Sequence, residues 1–429
     1  MDVSEVLVWN DVETNTRAEL QKRQEALLPE RIRKAYEEGG LYRQHYDAAQ
    51  VKPHDYADRA DLSKFPLVSK DDVRAFRQAT GDPFGGLSVG MLAGASVSHG
   101  TGTSGIPTLQ LSTPADREAV SDELASMFWM TGLRPESRIL ALQNFGVRAE
   151  LTLAMAALKI GAVHILPDSG SSSIDQLESL RPQFTWAYPG WLDRLAVSAQ
   201  HAGKDLEALL EPLEVLWWGG RYLSPFRREK LEARFNANVY EMGGMGDVGL
   251  HVSTCSAQNG MHLREDMFVV EVIDPQTEEP VPAGTPGELV FTSLWDEGMN
   301  HVRWRSDDIG MVKTDPCSCG RNTARVFQLG RVWERTVVDG ATIMPAQIDD
   351  VLFALTEQDI AFQIVRSRDD GRRPYVRVAA TDGLDLVEVG NAVSTELGVQ
   401  LDVAAAPKSD LVGSSETKYA HKYKQVTDE

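Results

Sequence analysis

Residues 98–108 read SHGTGTSGIPT and combine three glycines with serine and threonine hydroxyls. Gly100, Gly102 and Gly105 give the spacing G-x-G-x-x-G. A dinucleotide fold needs the third glycine to open a helix whose N-terminus meets the pyrophosphate. Here Ile106-Pro107 and the β-like TLQLST follow, and the first helix signal is Thr113-Pro114. A P-loop needs Gly-Lys-[Ser/Thr], and 98–108 contains no lysine. The chemistry left is that of an anion nest, in which hydroxyls and unhindered backbone N–H groups wrap phosphate oxygens.

A second chemical set uses every cysteine of the chain. Cys317 and Cys319 form C-S-C, while Cys255 and His262 flank the turn SAQNG. Three thiolates and an imidazole make a closed Cys₃His set, the donor type of a structural zinc. Three free thiols and a packed histidine are the alternative.

These residues need a scaffold. Residues 15–40 carry apolar residues at helical spacing and end in Gly-Gly. A strand end, a Thr-Pro helix start and a helix follow over 111–132. Then come an apolar run at 137–145, a helix at 150–162 and a strand at 163–167. FTWAYPG (184–190) and LEVLWWGG (213–220) continue the alternation. Strand–helix alternation predicts a parallel sheet with helices on its faces. Beyond about residue 265, β-rich runs broken by Pro, Gly and acidic turns predict antiparallel hairpins or a small barrel. From about 335 onward a small α+β unit is expected. The fold class is α/β, with a large N-terminal domain of mixed and parallel sheets (1–331, its β-rich subdomain about 255–331). A small C-terminal α+β lid (332–429) completes it.

The formal net charge of −20 argues against nucleic acid as a partner, because phosphate backbones need a basic face. The most apolar stretch, LTLAMAALKIGAVHILP, contains Lys159 and is shorter than the ~20 residues a spanning helix needs. The acidic N-terminus lacks a secretory pattern. Three cysteines are an odd number and too few for a disulfide scaffold, so a cytoplasmic protein with reduced thiols is expected.

Read from Thr101 to Thr108, T-G-T-S-G-I-P-T resembles the [ST]-[ST]-G-T-T-G-x-P loop of the adenylate-forming enzymes. YEMGGMGDVG (240–249) lies where that family has aromatic-Gly-x-[ST]-Glu. GMHLREDMFVVEVIDPQT, GELVFTSL, VRWRSDDIG (302–310) and GRVWERTVVDGATIMPAQID (330–349) resemble further motifs of its phenylacetate–CoA ligase branch. The upstream YRQHYDAAQVKPHDY…LSKFPLVSKDDVR does so as well.

The resemblance implies a two-step ligase. A carboxylate attacks the α-phosphate of ATP, giving an acyl-adenylate and pyrophosphate, and the thiol of coenzyme A then displaces AMP. An aromatic or arylacetic acid is implied as substrate. Transfer to an amine or a carrier-protein thiol is the alternative, as is a non-catalytic nucleotide- or acyl-binding relative.

By the same resemblance, Thr101, Gly102, Thr103, Ser104 and Gly105 hold phosphates, and Asp247 binds Mg²⁺. Asp308 takes the ribose hydroxyls, and Arg331 lies near the nucleotide at the hinge. Gly219, Gly220, Gly243, Gly244 and Met245 line the nucleotide. Lys422 is the lid lysine, with Lys418 and Lys424 as alternatives. Phe145, Trp186 and Tyr188 line the acid pocket or belong to the core. Relatives with a similar Cys/His cluster strengthen the zinc reading, and a homodimer is implied by analogy. Five positions depart from the pattern. Gly243 replaces the aromatic that would stack on adenine, Gly246 the [ST], Arg221 an acid, and Trp333-Glu334 the hinge acids.

Overall fold

Thr113 and Pro114 start a helix as their sequence requires. The Thr113 hydroxyl accepts from Asp116 N, Pro114 occupies the first turn, and the helix runs Pro114–Met130. Just before it, strands Ser96–His99 and Leu109–Ser112 pair antiparallel. The segment following the glycine-rich loop is therefore a strand and not a helix, in line with Pro107 and the β-like tail.

The computed structural model describes residues 8–88, 93–99, 108–140, 149–166, 172–187, 191–220, 222–366, 373–381, 384–412 and 425–428. Chain contacts divide it into two compact units. One comprises Met1–Pro167 with Met242–Phe327, and the other Asp168–Glu241 with Gln328–Glu429.

In the first unit, helix Arg17–Glu38 opens with a capping box between Thr16 and Glu19. Its apolar face, with Leu28 and Ile32, joins a core containing Tyr42, Tyr46, Phe65, Phe268, Phe291 and Trp304. Strands Phe268–Ile273, Gly287–Ser293 and Trp304–Lys313 pair antiparallel in sequence. Strand Leu250–Thr254 pairs antiparallel with Met242–Met245 and with the short strand Met261–His262. Arg325 in turn faces His262. The expected hairpins are present as an antiparallel sheet. Strands Arg138–Leu140 and Val163–Ile165 form a parallel pair.

In the second unit, Phe184–Ala187, Val215–Trp218 and the start of strand Asn238–Met245 pair in parallel. Its C-terminal part is a four-stranded sheet in the order Asp402–Ala406, Tyr375–Ala379, Phe362–Arg366, Val426–Asp428. Helices Pro345–Thr356 and Leu386–Leu397 contribute Ile348, Leu352, Val389 and Val393 to its core. Among the described residues, no helix is long and apolar enough to cross a membrane.

A buried cation ties helix Pro225–Phe235 to helix Pro345–Thr356. Arg227 is almost fully buried and donates to Asp349 Oδ2 at 2.9 Å and to Asp359. Its guanidinium also lies 4.2 Å from the Phe353 ring centroid. Removing one member strands the other in a low dielectric. Arg227→Met should therefore lose about 3–5 kcal/mol of unfolding free energy, and Arg227→Met with Asp349→Leu should recover most of it. Urea unfolding of the three proteins checks this. An equal loss in the single and double variants would place the effect in packing and not in stranded charge.

Candidate active site and metal centre

Asp247 lies in the turn joining strands Asn238–Met245 and Leu250–Thr254. Gly249 there has φ +68°, a backbone that favours glycine. The Asp247 carboxylate is buried and held by side chains from two distant segments. Thr108 Oγ1 donates to Oδ1 at 2.5 Å, and Lys70 Nζ lies 3.0 Å from Oδ2. Gln110 Nε2 is 3.5 Å from Oδ1. Burial pushes this carboxyl up, but Lys70 and the Thr108 hydrogen bond outweigh it and hold it below the usual aspartate range. Sequence reasoning missed Lys70 and Thr108 as partners. Lys70 begins a capped helix, Lys70–Thr80, where a lysine ordinarily faces solvent.

The remaining carboxylate lone pairs leave room for one Mg²⁺ contact, consistent with an ion held chiefly by water and phosphate oxygens. Lys70 competes for Oδ2. Asp308 is also buried, on strand Trp304–Lys313, and its N–H donates to Ser306 Oγ at 2.9 Å.

The strand preceding Asp247 shows why position 243 carries no ring. A Cβ on Gly243 would lie 3.3 Å from both Met261 Sδ and Val252 Cγ2, two core side chains. A larger residue would press into the core unless Met261 moved. Gly244 is tighter still, because a Cβ there would meet the Leu250 carbonyl oxygen at 2.5 Å. Met245 is buried.

In the second unit, Gly219 N donates to Ala187 O at 2.9 Å, and Gly220 has φ +86°. Trp186 is half-buried, its ring centroid 6.2 Å from that of Trp217. Arg331 N donates to Glu334 Oε2 at 2.9 Å. Glu334 thus caps the short helical turn Val332–Glu334, a local reason for an acid at this position. Arg366 donates to the carbonyls of Trp333 and Arg335 at 3.1 and 3.2 Å and pairs with Asp428 at 2.6 Å. Glu241 was not anticipated. It accepts from Leu223 N at 3.1 Å, and burial pushes its carboxyl up to about 7. Thr101, Gly102, Thr103, Ser104, Gly105, Phe145, Tyr188, Arg221, Lys418, Lys422 and Lys424 lie outside the described residues.

The cysteine set does come together. The ligand atoms of Cys255, His262, Cys317 and Cys319 all lie within 4.8 Å of one another. Cys255 Sγ is 3.7 Å from Cys317 Sγ, and Cys319 Sγ is 3.5 Å from His262 Nε2. Tetrahedral zinc bonds of about 2.3 Å to sulfur and about 2.0 Å to nitrogen would separate two sulfurs by about 3.8 Å and a sulfur and a nitrogen by about 3.5 Å. Those two pairs are thus spaced as that coordination requires. His262 Nδ1 sits 2.9 Å from Thr323 Oγ1, which fixes the ring with Nε2 toward the sulfurs. Hydrogen bonding from His262 helps hold the Cys317 thiol low, which favours the ligating thiolate.

A family profile described as AMP-binding enzyme matches residues 117–295. A phenylacetate-coenzyme A ligase of Thermus thermophilus is 29% identical over 367 residues, covering 84% of this chain and 81% of the relative. The phenylacetate-coenzyme A ligase of Escherichia coli is 25% identical over 365 residues, with coverage of 83% and 81%. Among solved structures, 2-hydroxyisobutyryl-CoA ligase in its postadenylation state with R3-HIB-AMP superposes with TM-score 0.83 at 22% identity. That match covers 99% of this chain and 93% of the other.

The Asp247 pair predicts a pH signature. A carboxyl held low in the fold stabilises above its unfolded value, near pH 4, and that stability fades as pH falls through the lower folded value. In Lys70→Met, the Thr108 hydrogen bond still opposes burial but the Lys70 charge is gone, so the carboxyl rises. The variant should be less stable by about 2 kcal/mol at pH 7, with the gap closing in acid. Urea unfolding between pH 3 and 7 reads this out. A gap independent of pH would place Lys70 in packing and not in charge pairing.

Proposed function

We propose that this chain, a phenylacetate–CoA ligase-like adenylate-forming enzyme, activates an aromatic or arylacetic carboxylic acid. It is an AMP-forming acid–CoA ligase that makes an acyl-adenylate and passes the acyl group to coenzyme A. The buried Asp247 carboxylate, tied to Thr108 where the glycine-rich loop ends, is the observation that carries the assignment of roles.

In the first step a carboxylate oxygen attacks the α-phosphorus and pyrophosphate leaves. Two anions must meet, so the site has to supply donors and positive charge. Thr101, Gly102, Thr103, Ser104 and Gly105 supply hydroxyls and N–H groups to the phosphates. Asp247 is the residue that would hold Mg²⁺, which neutralises phosphate charge when bound. Lys70 is a second cation beside that carboxylate. Asp308 receives the ribose diol, and Arg331 lies near the nucleotide. Gly219, Gly220, Gly243, Gly244 and Met245 line the nucleotide with backbone and not with a stacking ring. Phe145, Trp186 and Tyr188 face the acid.

Lys422, on the C-terminal lid 332–429, stabilises the charge that develops during adenylation. In the second step the coenzyme A sulfur attacks the acyl carbon, AMP leaves with the bonding pair, and the thiol proton is released. A structural zinc held by Cys255, His262, Cys317 and Cys319 fastens the turn at 255–262 to the C-S-C loop. The matched donor spacing and the Thr323 support favour it. The unpaired cysteines fit a reducing cytoplasm.

The first step is tested by ATP–pyrophosphate exchange across a panel of aryl and arylacetic acids. Exchange should depend on the acid, and Asp247→Asn and Lys422→Ala should each lower it by about a hundredfold. Silence across the panel from folded, metal-replete protein would remove the aryl-acid assignment. AMP release that proceeds fully without coenzyme A would redirect the second step to another acceptor. For the metal, elemental analysis of purified protein should find about one zinc per chain, lost in Cys317→Ser together with a lower melting temperature.

A further inference from the structure

Residues 314–324 connect strand Trp304–Lys313 to strand Arg325–Arg331 and form neither helix nor strand. Such a run has to be held by individual bonds. Cys317 N donates to Arg321 O at 3.0 Å, and Gly320 N to Cys317 O at 3.0 Å, which closes the C-S-C turn. The residues that follow are tied to two places. Cys319 is one of the four clustered donors, and Thr323 Oγ1 sits 2.9 Å from His262 Nδ1. The others reach the segment that precedes and opens helix Arg17–Glu38. Arg321 donates through Nε and Nη2 to Glu13 Oε2 at 2.8 and 2.6 Å. Asn322 Nδ2 donates to Thr14 O at 3.1 Å. Ala324 N donates at 2.6 Å to Glu265 Oε2, the carboxylate that pairs with Arg17.

Arg321 joins the two sets directly. Its side chain is buried, and Nη1 lies 3.8 Å from Cys319 Sγ as the donor of an N–H···S bond. Glu13 is buried as well, and its second oxygen accepts from Trp9 N at 2.9 Å and Asn10 N at 3.1 Å. Asp11–Thr14 forms one short helical turn, and an isolated turn has no stability of its own. The start of the segment rests on helix Pro114–Met130. Trp9 Nε1 donates to Asp122 Oδ1 at 2.7 Å, and the Trp9 ring centroid lies 5.6 Å from that of Trp129. Met130, the next residue, packs against Cys255 and Cys317. The segment is thus clasped at both ends by parts of the chain that also touch the cysteines.

We infer that Trp9–Arg17 is a strap whose docking is coupled to occupancy of the centre formed by Cys255, His262, Cys317 and Cys319, with Arg321 as the positioning residue between them. The inference rests on the reading of those four residues as a zinc centre. Ordering residues 314–324 costs conformational entropy. Metal and strap both need that run ordered, so whichever is in place first leaves less for the other to order. The coupling is reciprocal: zinc tightens the strap, and the docked strap tightens zinc by the same factor. A guanidinium that donates to a ligating sulfur is also the kind of contact through which surrounding residues tune metal affinity.

Hydrogen exchange read by mass spectrometry tests this on the full-length protein, first zinc-loaded and then stripped of zinc under a thiol reductant. Removing zinc should speed exchange in Trp9–Arg17 by about tenfold and leave strand Phe268–Ile273 unchanged. Unchanged exchange in the strap overturns the inference. So does an equal acceleration in Phe268–Ile273, because the metal would then hold the unit as a whole. The reverse direction is read as zinc affinity, by competition with a chromophoric chelator. Trp9→Ala combined with Glu13→Ala opens both clasps and should weaken zinc by about fivefold or more. Three thiolates give the zinc-loaded centre a net negative charge, so removing the Glu13 carboxylate by itself would favour zinc. Weaker binding therefore reports the lost strap and not the lost charge, and equal or tighter binding overturns the coupling. Should the double variant fail to fold, exchange in the parent protein decides. Parent protein that neither carries nor takes up zinc would instead strike the zinc centre itself, and the coupling with it.

Discussion

The nucleotide site proposed for the first unit turns on one buried carboxylate. Asp247 is presented by a two-strand turn and carries its charge away from bulk water. A lone ionised carboxylate there would protonate or destabilise the fold. Lys70 and Thr108 prevent that by arriving from segments far away in sequence. The ionised carboxylate is thereby kept in place, and the three segments are locked to one another.

The cysteine centre solves a different problem. Strand Met261–His262 is only two residues long, a short link for ladder bonds alone to hold between strand Leu250–Thr254 and Arg325–Val326. Cys255 and the C-S-C loop close on it from two sides, and Thr323 sets the imidazole that points at them. A metal in this cage would stiffen the turn that follows strand Leu250–Thr254, and hence the hairpin that carries Asp247. Its coupling to the site would be mechanical, since the four donors leave no open coordination position.

The departures from the family pattern have local reasons. Gly243 faces Met261 and Val252, so the strand is packed where a ring would have to stand. In the turn Val332–Glu334, the Glu334 carboxylate accepts from the backbone N–H of Arg331 and caps that turn. Arg366 then joins that turn to the C-terminal strand through two carbonyls and Asp428. Trp333 itself remains exposed, and nothing in the structure explains its size.

The sequence by itself determined the local elements and the chemical kinds of residue. Thr113-Pro114 specifies a helix start because hydroxyl capping and a preset φ act within one turn, and the strand after Pro107 follows from the same short-range rules. The Cys₃His set was legible because thiolate and imidazole donors are rare enough to be counted. Tertiary structure alone decided the partners. Lys70 reads as a solvated helix residue until the fold sets its ammonium beside Asp247. Glu241 reads as an ordinary strand acid until burial pushes it up to about 7. Desolvation and pairing across distant segments are properties of the packed chain, and no pattern of neighbouring residues encodes them.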